Sequence, residues 1–173
     1  PNNGSSLGRF QSGMQIRRNS HLNCYNSLVI GWPIGVMIDN EKGNCWQAAK
    51  DGLINVQNVW LADCDIVGSD MNKQYKDSLA LDYKAKTFDP AAAHSFSTTW
   101  FLAQKGNQTK DLSALAMSAN AYIPTASSPV LTAADFTSSA LKDMEKVSFL
   151  GACDADAAWL SGWTNFDPQN TDY

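Results

Sequence analysis

Apolar and polar residues alternate along Met14–Arg18, with Met14 and Ile16 on one side and Gln15 and Arg17 on the other. That is the pattern of a half-buried strand. The alternation resumes over Leu22–Ile30, whose inward set is Leu22, Cys24, Asn26, Leu28 and Ile30, and it predicts further strands at Val36–Ile38 and Ile54–Ala62. Laying LNCYNSLVI over INVQNVWLA puts Asn23 on Asn55, Asn26 on Asn58 and Leu28 on Trp60, at an offset of 32 residues. A second match, Gly13–Ile16 against Gly35–Ile38, comes at 22 residues. The difference of ten equals the length of Glu41–Lys50, a polar interruption that reads as a short helix in a loop. Strands repeated at this spacing predict a solenoid, each coil burying its face on the next.

Past Gly68 the alternation fades. Asp70–Tyr83 reads as a polar helix, and Pro90–Lys105 as a clearer one, capped by Asp89 and ended by Gly106. Its apolar stripe, Ala93, Phe96, Trp100 and Ala103, faces a core and would lay the helix as a lid over the solenoid. From Leu112 the chain is loop-rich, with extended segments around Pro124 and Pro129, a last strand at Val147–Leu150 and an aromatic tail packed back on the body. The expected division is 1–68, the coils, and 69–173, a helix-containing cap and tail of the same structural unit.

Asparagine tolerates bent backbone and bonds its own chain. Asn26 and Asn58, equivalent in the repeat, are therefore read as a structural amide ladder. Cys24, Cys45, Cys64 and Cys153 show no CxxC spacing, which argues against a metal site and leaves buried thiols or a disulfide such as Cys45–Cys64 open. A net charge of −4 argues against nucleic acid as a partner. No run of 18 apolar residues is present to span a bilayer.

Candidate chemistry is sparse. His21 and His94 lie in no triad or HExxH setting, and there is no phosphate loop. Arg17 and Arg18 are the sharpest polar pair. They either face a ligand together with Asp39, Asp63 and Asp65 on an outer surface, or pair with carboxylates of a neighbouring strand and hold its register. Trp32 and Trp46 are the residues that would stack on a sugar. No cofactor is expected. Asp63 and Asp65, with Asp70, are the calcium candidates, set against a plain solvated acidic edge.

The phrases Gly13–Ser20 (GMQIRRNS), Asn26-Ser27, Gly31-Trp32, Gly35 and Ile38-Asp39, with Gly162–Asn170 (GWTNFDPQN) near the end, are similar to motifs of a family of Bacteroidetes cell-surface proteins. The chain departs from that pattern at Cys153, where an aromatic commonly follows the Gly151-Ala152 pair. The resemblance implies an exported protein, often a lipoprotein of the outer membrane, of which this chain is the C-terminal part, with a right-handed parallel β-helix. It implies no reaction.

The expected fold is thus mainly β: right-handed parallel β-helix coils at the N-terminal side, capped by a helix and a loop-rich C-terminal region. The expected function is that of a non-enzymatic scaffold, adhesin or outer-membrane assembly component on the cell surface. Its partner would be the upstream portion of its own precursor or another surface chain. The alternative is a β-helix protein that binds or cleaves polysaccharide. A polysaccharide screen with Trp32→Ala separates the two.

Overall fold

The computed structural model describes residues 12–32, 34–40, 42–66, 68–70, 73–75, 80–82, 87–89, 96–118, 123–160, 162–165 and 167–171, with backbone alone from 65 to 89 and at Trp159. The chain forms two compact units, Pro1–Lys110 and Asp111–Tyr173.

In the first unit the elements run β1 (Ser12–Ile16), β2 (Asn23–Ile30), β3 (Ile34–Ile38), α1 (Cys45–Lys50) and β4 (Asn55–Ala62). They continue with β5 (Asp65–Ile66), β6 (Gly68–Asp70), β7 (Lys73–Tyr75), β8 (Ala80–Asp82), β9 (Thr87–Asp89), α2 (Phe96–Ala103) and β10 (Gln108–Lys110). Two parallel three-stranded sheets result, in the orders β1-β3-β5 and β10-β4-β2. The registers equal the sequence offsets: Met14 faces Val36, and Asn23 faces Asn55. Leu28 faces Trp60 across the same pair.

The expectation of a parallel β-helix is overturned. Among the described residues no sheet closes or continues as a stack of coils: each parallel sheet stops at three strands. A solenoid needs the same supersecondary unit at every turn, and the unit of 32 residues occurs only twice. β4 finds its next neighbour, β10, only after two antiparallel ribbons, β6-β7 and β8-β9, and α2 have intervened. The other sheet ends in the two-residue β5, whose register on β3 shifts between Ile34 and Val36. The right-handed coils capped by a lid are replaced by two short sheets with helices packed on a shared core.

That core contains Ile16, Val36, Ile38, Cys45, Ala49, Ile54, Val56, Val59, Leu61, Trp100 and Phe101. β3 is buried along its whole length. Close approach of the two sheets requires Gly35, where a Cβ would stand 2.9 Å from Leu61 Cδ1 and 3.0 Å from Cys64 Cβ. α1 is the helix expected within Glu41–Lys50, shortened to six residues and started by Asn44, whose Oδ1 accepts from Gln47 N–H at 3.4 Å.

The second expected helix is also shorter. Asp89 ends β9 instead of capping a helix, and the described helix spans Phe96–Ala103, with Pro90 and Ala93 outside the described residues. Its buried face is Ser97, Thr98, Trp100 and Phe101, while Ala103 is exposed. The inward Ser97 is explained by its hydroxyl, which accepts the Ile38 N–H at 2.9 Å. Where Asp70–Tyr83 was expected to be helical, the described residues are strands, β6 pairing antiparallel with β7 and Ala80 opening β8.

The second unit is built from single 3₁₀ turns, among them Leu112–Leu115, Pro129–Thr132 and Ser139–Leu141. Ser128 caps the Pro129 turn and its hydroxyl donates to Leu115 O, so Ser127–Leu131 is turned, not extended. The strand expected at Val147–Leu150 is absent: residues 148–150 are bends, and Leu150 N–H donates to Val130 O at 2.8 Å. Leu115, Val130, Leu141 and Leu150 are buried, and Trp163 is exposed. No described helix is long and apolar enough to cross a membrane.

Candidate functional site

Two polar constellations organise the first unit. The first grows from the turn after β1. Arg18 and Asn19 both hold positive φ (55° and 61°), reversing the chain so that Ser20 N–H and its hydroxyl both donate to Arg17 O. Arg17 is thereby held over the end of β3, its Nε 3.3 Å from Asp39 Oδ2. Gln15 Nε2 donates to the same oxygen at 2.8 Å, and Asp39 N–H donates to Ile16 O at 2.8 Å. Asp39 is 1% exposed. A buried carboxylate is tolerated only when paired and hydrogen-bonded, and this one has an arginine and an amide. Of the two readings of Arg17, the geometry has the arginine paired with a carboxylate of the neighbouring strand: Asp39 is a buried anchor between β1 and β3, not part of an outer ligand face. Arg18 is exposed beside the turn.

An open groove of about 340 Å³ runs along Gly13–Ile16 and Ser20–Leu22, with His21 on its wall. Behind the turn lies Cys45, buried among core residues, its thiol pushed up by burial, with the Asn19 and Ser20 backbone partly opposing the shift.

The second constellation is a row of asparagines. Asn58 Nδ2 donates to Asn26 Oδ1 at 2.7 Å, and Asn55 Nδ2 donates to Asn23 Oδ1 at 2.9 Å. Asn26 and Asn58 both hold positive φ (49° and 52°), a conformation asparagine enters more readily than bulkier residues. Each bends its strand at the same register, so the two bends nest. On the other side of β4 the row is closed. The register of β10 on β4, carried back from Gln108 opposite Trp60, sets Gly106 opposite Asn58. There φ is 74° and a Cβ would stand 2.8 Å from Asn58 Oδ1. Asn107, buried, then clamps the β4 backbone: its Oδ1 accepts from Val59 N–H at 2.9 Å and its Nδ2 donates to Val56 O at 2.8 Å.

The aromatic candidates do not converge on a common face. Trp46 on α1 stacks on Phe96 at 4.7 Å and donates from Nε1 to Ile38 O at 3.1 Å. Trp32 lies after β2, where its N–H donates to Cys64 Sγ at 3.4 Å. Asp63 is exposed at a φ of 49° and Asp65 enters β5; among the described residues no group of three ligating side chains could hold a metal. All four cysteines are free thiols, so Cys45 and Cys64 are not joined.

Asn107 and Ser97 escaped the sequence reading. Both lie outside the repeat, and each is a lone polar residue whose role exists only against a distant strand. The Gly106-Asn107 pair carried one available signal, a turn dipeptide ahead of a short β-permissive run.

Comparison with protein-family models, curated proteins and solved structures finds no match.

Proposed function

We propose that this chain is a non-enzymatic surface module, a scaffold, adhesin or outer-membrane assembly component exported to the extracellular side of a Bacteroidetes-type outer membrane. The observation that carries the reading is the position of β1 and β2 at sheet edges, each paired on one side only among the described residues. Proteins usually blunt or cover such edges, because unpaired strand backbone is a template for another chain. Here an edge strand, β2, is as long as any strand described, eight residues. The polar groups that would serve catalysis are spent on structure: Asp39 on Arg17 and Gln15, Asn58 on Asn26. The GMQIRRNS and GWTNFDPQN phrases support export by their resemblance to the surface family.

Antibody raised against the purified chain, applied to intact cells of the source organism before and after mild proteolysis, tests the reading. Labelling of intact cells that protease removes is expected. Labelling that appears only after lysis overturns it.

A further inference from the structure

We propose that Asn107 is an edge guard. Its carboxamide takes up backbone groups of β4 that the three-residue β10 leaves uncovered, and so keeps β4 of a second copy of this chain from adding there. The proposal stands apart from the surface-module reading.

β4 is eight residues long, and β10 pairs with only its last three, Trp60, Leu61 and Ala62. The stretch before them faces the turn that leads out of α2 through Gly106, at a φ of 74°. Three backbone groups on that stretch are met without a paired strand. Asn58 N–H donates to Lys105 O at 2.8 Å. Val59 N–H donates to Asn107 Oδ1 at 2.9 Å, and Val56 O accepts from Asn107 Nδ2 at 2.8 Å. A carboxamide carries the same kinds of donor and acceptor as a peptide group. One side chain thus does what a neighbouring strand would do with its backbone. The same Nδ2 donates to Phe101 O at 3.0 Å, and Phe101 is fully buried in α2. The guard is therefore fixed to the helix as well as to the strand.

The sequence of β4 says what it guards against. Asn55–Ala62, NVQNVWLA, holds no charge, no proline and no glycine. A segment of that kind stacks on identical copies of itself, with asparagine ladders adding to the attraction. The chain already shows the geometry within one molecule: β2 lies parallel on β4, Asn23 opposite Asn55, with Asn58 bonded to Asn26. Unpaired strand backbone is the template for such addition. Without Asn107, the Val59 N–H and the Val56 O lose their partners in the middle of that segment.

The test compares the whole wild-type chain with Asn107→Ala and with Ser97→Ala. The second variant also deletes a buried side-chain bond to backbone, but on β3, at the Ile38 N–H. Urea midpoints establish that each folds, and sedimentation velocity follows size against concentration. Asn107→Ala is expected to rise in apparent mass with concentration, roughly twofold or more over wild type, while Ser97→Ala matches wild type. In the assembled Asn107→Ala chain the Val59 amide should exchange slowly, because a second copy now covers it. Equal mass in all three chains overturns the proposal. Equal association of both variants overturns it too, since lost stability alone would then account for it. So does association that leaves the Val59 amide fast, which would place the contact elsewhere. Where Asn107→Ala does not fold, Asn107→Asp takes its place, keeping the acceptor for Val59 N–H and losing the donor to Val56 O. Failure of both to fold would make Asn107 a core anchor and would also overturn the proposal.

Discussion

Asn58 Nδ2 lies 2.7 Å from Asn26 Oδ1, and both residues stand at positive φ, so one hydrogen bond locks two strained bends together. The bond and the backbone make separable demands. Asn58→Ala loses the bond and forces a Cβ-bearing residue without a local hydrogen bond into the left-handed region. A loss of about 2–3 kcal/mol is expected by urea denaturation. Asn58→Gly relieves the backbone and forfeits the amide bond to Asn26, a smaller loss of about 1 kcal/mol. A glycine variant less stable than the alanine variant would contradict this division.

Gly106 faces the same bend from the other side. Gly106→Ala places a Cβ 2.8 Å from Asn58 Oδ1 at a φ of 74°. A loss of about 2 kcal/mol or more is expected. Thermal unfolding should show it, and an unchanged midpoint would mean that β10 does not pack as described.

Asp39 is the buried member of an ion pair whose other member, Arg17, is 35% exposed. Arg17→Ala leaves the carboxylate with Gln15 and is expected to cost about 2 kcal/mol, less than for a fully buried pair because water reaches the guanidinium. Arg18→Ala, one residue on and exposed, should stay within about 0.5 kcal/mol. Equal effects of the two changes on the urea midpoint would refute a structural role specific to Arg17.

How much of this was legible in the sequence depends on range. The strand registers were readable because β2 and β4 carry asparagines at the same two steps and apolar residues at the last three, and a one-residue slip would turn every inward side chain outward. Asn26 and Asn58 stood out for the same reason. The end of each sheet was not readable: a repeat seen twice says nothing about whether a third copy follows, and β10 shares no pattern with β4. Nor was the inward face of α2. Ser97 and Thr98 are polar yet buried, and the Ile38 N–H that the Ser97 hydroxyl accepts explains the burial of Ser97. For Arg17 the sequence offered two readings, a ligand face or a pair with a carboxylate of the next strand, and only the register of β1 on β3 brings Asp39 to it.

Burial raises the thiol pKa of Cys45, Cys64 and Cys153 above the ordinary value of 9.0. A group whose folded pKa is raised contributes stability that is fully present below the unfolded value and is lost as pH rises through the folded one. Urea midpoints should therefore hold from pH 7 to about 8.5 and fall above pH 9. Replacing Cys45 by Ala should make that fall shallower. Ellman's reagent at pH 8 should leave Cys45 unmodified until the chain unfolds, and rapid native modification of that thiol would contradict its place in the core.

The central claim is that, among the described residues, β2 is an edge strand and β4 an interior one. Residue-resolved hydrogen–deuterium exchange tests it most directly. Strand amides alternate between the two neighbours, so in the isolated chain β2 should show slow and fast amides in strict alternation. β4, flanked by β2 on one side and by β10 and Asn107 on the other, should be slow throughout. Uniform protection of β2 equal to that of β4 would contradict the account.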